Sequence, residues 1–420
     1  MGAGQSRAAQ DKRIGATVAG LVQRGFRLLS FDFDKTIVAC HTGGQWAESA
    51  DSLAKHVRPD IAALMLAASQ HNLQVAVVTF SGQVDLIRNV LQLAVGKTAA
   101  NKIIIRGADG SWDPDAAVAA THSREEQDEE QNSLVARKAM IKYKEGKNAW
   151  LCSVFGEMEK NNNSNTASSS VSASAPVGGL WQPGQSILID DDRNNIMAAQ
   201  ACGVAGIWLD LSVSRPTDPV LKALEWLCQT PRLIFLDVDG VLNSRESRDG
   251  GPELRGDEWD MPDEKLLCNL SWLVRRTCGE IVLSSTWRLQ ESDCDRLTGA
   301  LERHGLEVIG STSDMSLSGA GDRGDEIREW VAAFQPSHCG RPDLVGGRAP
   351  PLPIEPPWVA LDDMDLTAMN PCDVKAPNFV RTDDAVGLVA EKAREAADKL
   401  MQAAVSQLPG YLPTVFTNLN

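Results

Sequence analysis

The stretch LLSFDFDKT, residues 28–36, is a short apolar run that stops on two carboxylates, Asp32 and Asp34. Residues 233–241, LIFLDVDGV, repeat the pattern with Asp237 and Asp239. An apolar run of this length without polar alternation suits a strand covered on both faces of a parallel sheet. Ending it in Asp-x-Asp sets two acids at the carboxyl edge, where open α/β sheets bind ligands. Two close carboxylates repel and lose hydration there. A cation is the natural compensation, and magnesium takes oxygen ligands, including one or two carboxylates plus phosphate oxygens.

Outward from each run, strands and helices alternate in the same order. In the first half, LQVAVVTF, KIIIRG, SILID and GIWLD read as strands. The helix after Pro59, the stretch VDLIRNVLQLAV, and RNNIMAAQAC read as helices between them. SLVARKAMIKYK has helical spacing, and the charge run SREEQDEEQ before it is a solvated loop or helix start. In the second half the strands are LIFLD, EIVLSS, EVIGS, WVALDD and NFVRTD. PDEKLLCNLSWLVRRTCG is a helix with Gly279 as its expected stop. The fold class expected is α/β: two tandem Rossmann-like domains, each a mostly parallel sheet flanked by helices. At 420 residues the chain exceeds one ordinary core. The expected division is an arm with a short helix over 1–27, domain 1 over 28–230, domain 2 over 231–407 and a tail over 408–420. Polar, low-complexity sequence predicts a disordered loop at 158–180.

Each half carries three further elements after its Asp-x-Asp run. A middle strand ends in a hydroxyl, Thr79 in the first half and Ser284 (with Ser285) in the second. A basic residue lies on a following helix: Lys138, with Lys142 one turn on as the alternative, and Arg323. A later strand ends in an acidic pair, Asp190-Asp191 and Asp362-Asp363. One Asp-x-Asp alone would be read as a cap or turn; four elements in one order, twice, are not.

Taken as a set, these motifs resemble the haloacid dehalogenase (HAD) superfamily, over nearly all of the chain after the arm. LDVDGVLN and IVLSSTWR also resemble the HAD domains of RNA-repair proteins. The resemblance implies two tandem HAD domains with little or no cap, acting as a Mg²⁺-dependent phosphatase through an aspartyl-phosphate. Asp32 and Asp237 would be nucleophiles, and Asp34 and Asp239 general acid–bases. Thr79, Ser284, Lys138 and Arg323 would hold the phosphoryl group. Asp32, Asp34, Asp190 and Asp191, and likewise Asp237, Asp239, Asp362 and Asp363, would surround the metal. Two departures mark the second half: Arg323 where lysine is commoner, and Thr367 where the first half has Asn195.

Composition bounds the remaining readings. A net charge of −15 argues against an extended grip on nucleic acid. The substrate expected is phosphorylated: a small molecule, a phosphoprotein or a nucleic-acid end. Nine scattered cysteines without a CxxC pair fit reduced thiols in a cytoplasmic protein. MGAGQS fits the myristoylation pattern at Gly2, which would give weak membrane association at most. His41, Trp46, Trp181 and Trp287 read as loop or packing residues. Arg288 suits a substrate anion or an ordinary salt bridge. Two competing functions stay open: a non-enzymatic scaffold, and transfer to an acceptor other than water.

Overall fold

In the computed structural model the chain divides into two compact units, Met1–Trp226 and Leu227–Gln407. The structure describes residues 2–114, 146–166, 183–246, 261–315, 322–334, 355–369 and 374–407. Lys138, Lys142, Trp181 and the 408–420 tail lie outside the described residues.

Unit 1 is built on a five-stranded, all-parallel sheet of β1 (Leu28–Phe31), β2 (Gln74–Val78), β3 (Ile104–Arg106), β4 (Ser186–Asp190) and β5 (Ala205–Trp208). Its order is β3-β2-β1-β4-β5. Unit 2 has β6 (Arg232–Leu236), β7 (Gly279–Leu283), β8 (Val308–Ser311), β9 (Trp358–Asp362) and β10 (Phe379–Arg381), in the order β10-β9-β6-β7-β8. Taken from the other edge, the second order equals the first. In both, the chain builds one side of the central strand and then crosses to the other. The loops after β1 and β4, and after β6 and β9, therefore diverge and leave a crevice at the carboxyl edge. β1 and β6 are buried throughout, as their apolar runs predict.

The core of each unit lies between sheet and helices. In unit 2, Leu266, Leu270 and Leu273 of the helix Glu264–Thr277 share one buried cluster with Leu400 of the helix Ala390–Ser406 and with strand residues Ile234 and Leu236. Burying each such side chain contributes about 1.5–3 kcal/mol.

Three local expectations change. Residues 2–23 form one 22-residue helix. Ile14, Val18 and Leu21, spaced along one face, are buried. Arg13 holds Glu225 through both its Nε and a terminal nitrogen, and Arg7 reaches Asp60 at 2.8 Å. Apolar spacing and ion pairs therefore make this segment part of unit 1. The helix Asn148–Thr166 runs into the stretch expected to be a loop from 158. The helix Glu264–Thr277 ends on Cys278 in the left-handed region (φ 52°), while Gly279 opens β7. Gly279 is needed for close packing: a Cβ there would lie 2.5 Å from Ile234 Cδ1. No described helix is long and apolar enough to cross a membrane.

Candidate active sites

In unit 1 the chain leaves β1 at Asp32, whose N–H donates to the Ile189 carbonyl. The loop that follows bends at Lys35, which has φ 59°. Thr42 Oγ1 donates to Asp34 Oδ1 at 2.7 Å, the Thr42 N–H donates to the same oxygen, and His41 Nδ1 lies 3.1 Å from Oδ2. His41 is thus an exposed loop residue that touches the site. The carboxylates of Asp32, Asp190 and Asp191 converge, with one oxygen of each within 4.8 Å of the others.

The cation that meets them is Lys147. Its Nζ donates to Asp32 Oδ1 and lies 2.9 Å from Asp190 Oδ2, and the side chain is buried. Sequence reasoning missed it. Lys147 follows Gly146, in a left-handed turn (φ 52°), and precedes the helix Asn148–Thr166. The signal was a Gly-Lys pair before the apolar run AWLCSVF, whose Leu151, Val154 and Phe155 are buried in the core. The exposed ring of Phe80 lies 5.3 Å from Lys147 Nζ and packs edge-on against Trp150.

Unit 2 repeats the arrangement with different side chains. Asp237 donates its N–H to Leu361 O, and Asp237, Asp362 and Asp363 converge within the same limit. One terminal nitrogen of Arg323 lies 2.9 Å from both Asp237 Oδ1 and Asp362 Oδ2. Arg323 is the first residue of its helix, Arg323–Ala333, fixed by a capping box between Asp322 and Asp325. Gly240 stands where Lys35 stands in unit 1, also left-handed (φ 69°), and a Cβ there would lie 2.6 Å from the Asp363 carboxyl carbon. Asp239 accepts from Asn243 Nδ2 at 3.0 Å and from Trp287 Nε1 at 3.1 Å. Trp287, expected to be packing alone, therefore also orients an acid. The carboxylates of Asp34 and Asp239 are not among the converging oxygens; six aspartates remain as candidate side-chain metal ligands.

The hydroxyl positions follow from sheet register. Phe31 pairs with Val77, and Thr79 lies two residues beyond. Leu236 pairs with Leu283, and the residue two beyond is Ser285, not Ser284. Thr79 Oγ1 accepts the Ser81 N–H at 3.2 Å, and Ser285 Oγ accepts the Trp287 N–H at 3.4 Å, the same i to i+2 bond. Ser285 also hydrogen-bonds Asp237 and helps to hold it ionised. Ser284 Oγ is buried without a partner. Arg288 takes the salt-bridge reading: it pairs with Glu326 at 2.8 Å and donates to the carbonyls of Thr312 and Ser285.

Burial sets the electrostatics. It pushes Asp32 up to about 7; the Asp190 charge adds to the rise and Lys147 opposes it. Burial and the Asp237 charge push Asp362 to about 7 against Arg323. Burial likewise raises Asp237, opposed by Arg323. Burial alone would lower Lys147, but the carboxylates of Asp32 and Asp190 outweigh it, so the ammonium is held charged. Each site thus gathers three carboxylates, one oxygen of each within 4.8 Å of the others, with a bridging cation against two of them, Lys147 or Arg323; the donor set is all oxygen. That set fits Mg²⁺.

The acidic pairs differ downstream. Asn195 Nδ2 donates to Asp190 Oδ2 at 3.1 Å, whereas Thr367 donates to Asp365 and leaves Asp362 alone. The backbone serves both: the Asp192 N–H binds Asp190 Oδ1 and the Met364 N–H binds Asp362 Oδ1, at 2.8 and 2.9 Å.

Residues 233–393 match the family model described as the HAD domain in Swiss Army Knife RNA repair proteins. Unit 2 contains a HAD domain. The match spans β6 from Leu233 on, with Asp237 and Asp239, the Ser285 loop, Arg323 and the acidic pair, so it covers every element of the unit 2 cluster. HAD domains are generally hydrolytic or phosphoryl-transfer enzymes that use Mg²⁺. Comparisons with curated proteins and with solved structures found no match. Unit 1 shares with the HAD domain its strand order and its acid–cation arrangement.

Proposed function

We propose that the protein is a magnesium-dependent phosphohydrolase with a HAD-type active site in each unit. The observation that carries this is a side-chain cation bridging a strand-end aspartate to a distal one, with the +2 acid anchored by its own hydrogen-bond partners. A scaffold has no need of that division. The nucleophile is kept buried beside a positive charge, and the proton-handling acid sits on a separate hydrogen-bond anchor.

The residues divide the chemistry as follows. A carboxylate oxygen of Asp32 or Asp237 attacks phosphorus, and the bond from phosphorus to the leaving oxygen breaks. Asp34 or Asp239, protonated at that moment, gives its proton to the leaving oxygen. The same group, now a carboxylate, takes a proton from the water that attacks the aspartyl-phosphate; phosphate leaves and the aspartate is restored. Thr79 or Ser285, and Lys147 or Arg323, stabilise the charge on the phosphoryl oxygens. Mg²⁺ held by Asp32, Asp190 and Asp191, or by Asp237, Asp362 and Asp363, would neutralise charge on the phosphate as the nucleophile approaches.

For the second unit the family match supports a phosphorylated nucleic-acid end as substrate. The net charge of −15 favours a local hold on a terminus over an extended grip on the backbone.

The test is phosphate release from an aryl phosphate with Mg²⁺, comparing wild type with Asp32→Asn, Asp237→Asn and the double variant. Loss in one single variant assigns the activity to that unit. Loss only in the double variant assigns it to both. A wild-type protein inactive across divalent metals and a panel of phosphate esters, nucleic-acid ends included, would overturn the proposal and favour the scaffold reading.

A further inference from the structure

Away from both carboxylate clusters, unit 2 brings three different donor atoms together. Glu264 and Cys268 are four residues apart at the start of the helix Glu264–Thr277, on one face. His304 closes the helix Glu291–Arg303, its position fixed by its own N–H bonding the Leu301 carbonyl. A carboxylate oxygen of Glu264, the sulfur of Cys268 and a ring nitrogen of His304 lie within 4.8 Å of one another.

The histidine nitrogen is the telling atom. His304 Nε2 is buried and makes no hydrogen bond. Glu264 Oε1 is 2.9 Å away, near enough to pair electrostatically with a charged ring but without hydrogen-bond alignment. A buried polar atom in this state is costly unless something else completes it.

A thiolate, an imidazole and a carboxylate are the donors zinc takes, and magnesium does not favour sulfur or nitrogen. Zinc bonds of about 2.3 Å to sulfur and about 2.0–2.1 Å to nitrogen set tetrahedral ligand pairs roughly 3.3–3.6 Å apart. Two of the three, Glu264 and Cys268, are exposed, so closing from the present limit of 4.8 Å to that spacing falls to side chains at the surface. Their exposure also gives an ion a path in.

We propose that Glu264, Cys268 and His304 form a zinc site, with the fourth position open to solvent. It ties together two helices that already share a core: Leu266, Leu267 and Leu270 of one, and Leu297, Ala300 and Leu301 of the other. Binding to the folded state alone would raise stability by mass action. The site is chemically separate from the all-oxygen clusters, so the two kinds of site would select different ions.

The experiment uses the full-length protein, stripped with chelator and titrated with Co²⁺ as a spectroscopic stand-in, then with Zn²⁺. With Mg²⁺ in large excess to occupy the carboxylate clusters, the thiolate-to-cobalt charge-transfer band of wild type should saturate with about one equivalent bound at the thiolate site and be abolished by Zn²⁺. Cys268→Ser should remove the band, His304→Gln should remove or greatly weaken it, and Cys40→Ser should leave it intact. Zn²⁺ should raise the melting temperature of wild type and not of Cys268→Ser. If His304→Gln fails to fold, Glu264→Gln at an exposed position takes its place, with weaker Co²⁺ binding expected. Absence of a band in wild type, a band that survives Cys268→Ser, or equal Co²⁺ affinity in Glu264→Gln and wild type would overturn the proposal.

Discussion

Arg323 in unit 2 holds the place that Lys147 holds in unit 1: each is a side-chain cation that bridges the strand-end aspartate to the first acid of the distal pair. They arrive from helix starts of different sequence, one behind a glycine turn and one inside a capping box. Both cations stand against an excess of buried carboxylate. Removing either should therefore be felt in folding as well as in turnover. Lys147→Met should abolish phosphate release from unit 1 and destabilise that unit by about 3–5 kcal/mol, as expected when one partner of a buried pair is lost. Urea unfolding with chelator present, beside phosphate-release kinetics, checks both effects. Unchanged stability would mean that Lys147 does not balance the buried charge.

The raised aspartates make stability depend on pH in a definite direction. Asp32 and Asp362 titrate at about 7 in the folded protein, against an ordinary aspartate value of 3.8. The folded state therefore holds more protons than the unfolded one between these limits. Their contribution is fully present below about 3.8 and is lost as pH rises through about 7. In chelator, the melting temperature should fall between about pH 5.5 and pH 8. Asp32→Asn with Asp362→Asn should flatten this slope, and Mg²⁺ should restore stability at the alkaline end. Thermal melts across this range test it, and a slope unchanged by the double variant would remove those two groups as its cause.

Register separates two adjacent serines. Ser285→Ala should lower kcat for unit 2 by about 10²–10³-fold, the usual scale for loss of one donor to a developing charge. Ser284→Ala should leave kcat within a few fold, since its hydroxyl makes no bond. Steady-state kinetics in an Asp32→Asn background isolates unit 2. The reverse ranking would place Ser284 at the phosphoryl group.

Gly240 is the position least able to accept a side chain. Its φ of 69° disfavours other residues, and a Cβ would press on Asp363. Gly240→Ala should raise the Mg²⁺ concentration needed for half-maximal unit 2 activity, by displacing a metal-holding carboxylate. Lys35→Arg, at the matching place in unit 1, should leave the Mg²⁺ requirement of unit 1 nearly unchanged, because that backbone already carries a side chain at φ 59° and the positive charge near Asp191 is kept. Magnesium titrations of the two variants give the comparison.

The +2 acids rest on different partners. Trp287→Phe removes one hydrogen bond from a neutral donor to the Asp239 carboxylate, worth about 1.5–3 kcal/mol, while Asn243 keeps its own. Unit 2 turnover should fall by about ten- to a hundredfold. A larger fall, with loss of folded structure by circular dichroism, would show that the indole acts mainly through packing.

Much of this protein is written locally. The two Asp-x-Asp runs and their neighbours dictated parallel strands ending in acids, because strand periodicity and the carboxyl-edge rule act over a few residues. The placement of Asp190, Asp191, Asp362, Asp363 and Thr79 at or just past strand ends was legible for the same reason. Tertiary structure decided the rest. Lys147 lies 115 residues from Asp32 in sequence, and only the docking of its helix against the sheet brings them together. The choice of Ser285 over Ser284 needed the strand register, since adjacent residues on a strand face opposite ways. Whether the N-terminal segment was an arm or a packed helix depended on partners at Asp60 and Glu225, far along the chain. A sequence states which side chains are available; which of them share a site is fixed by packing, where burial and charge balance are settled together.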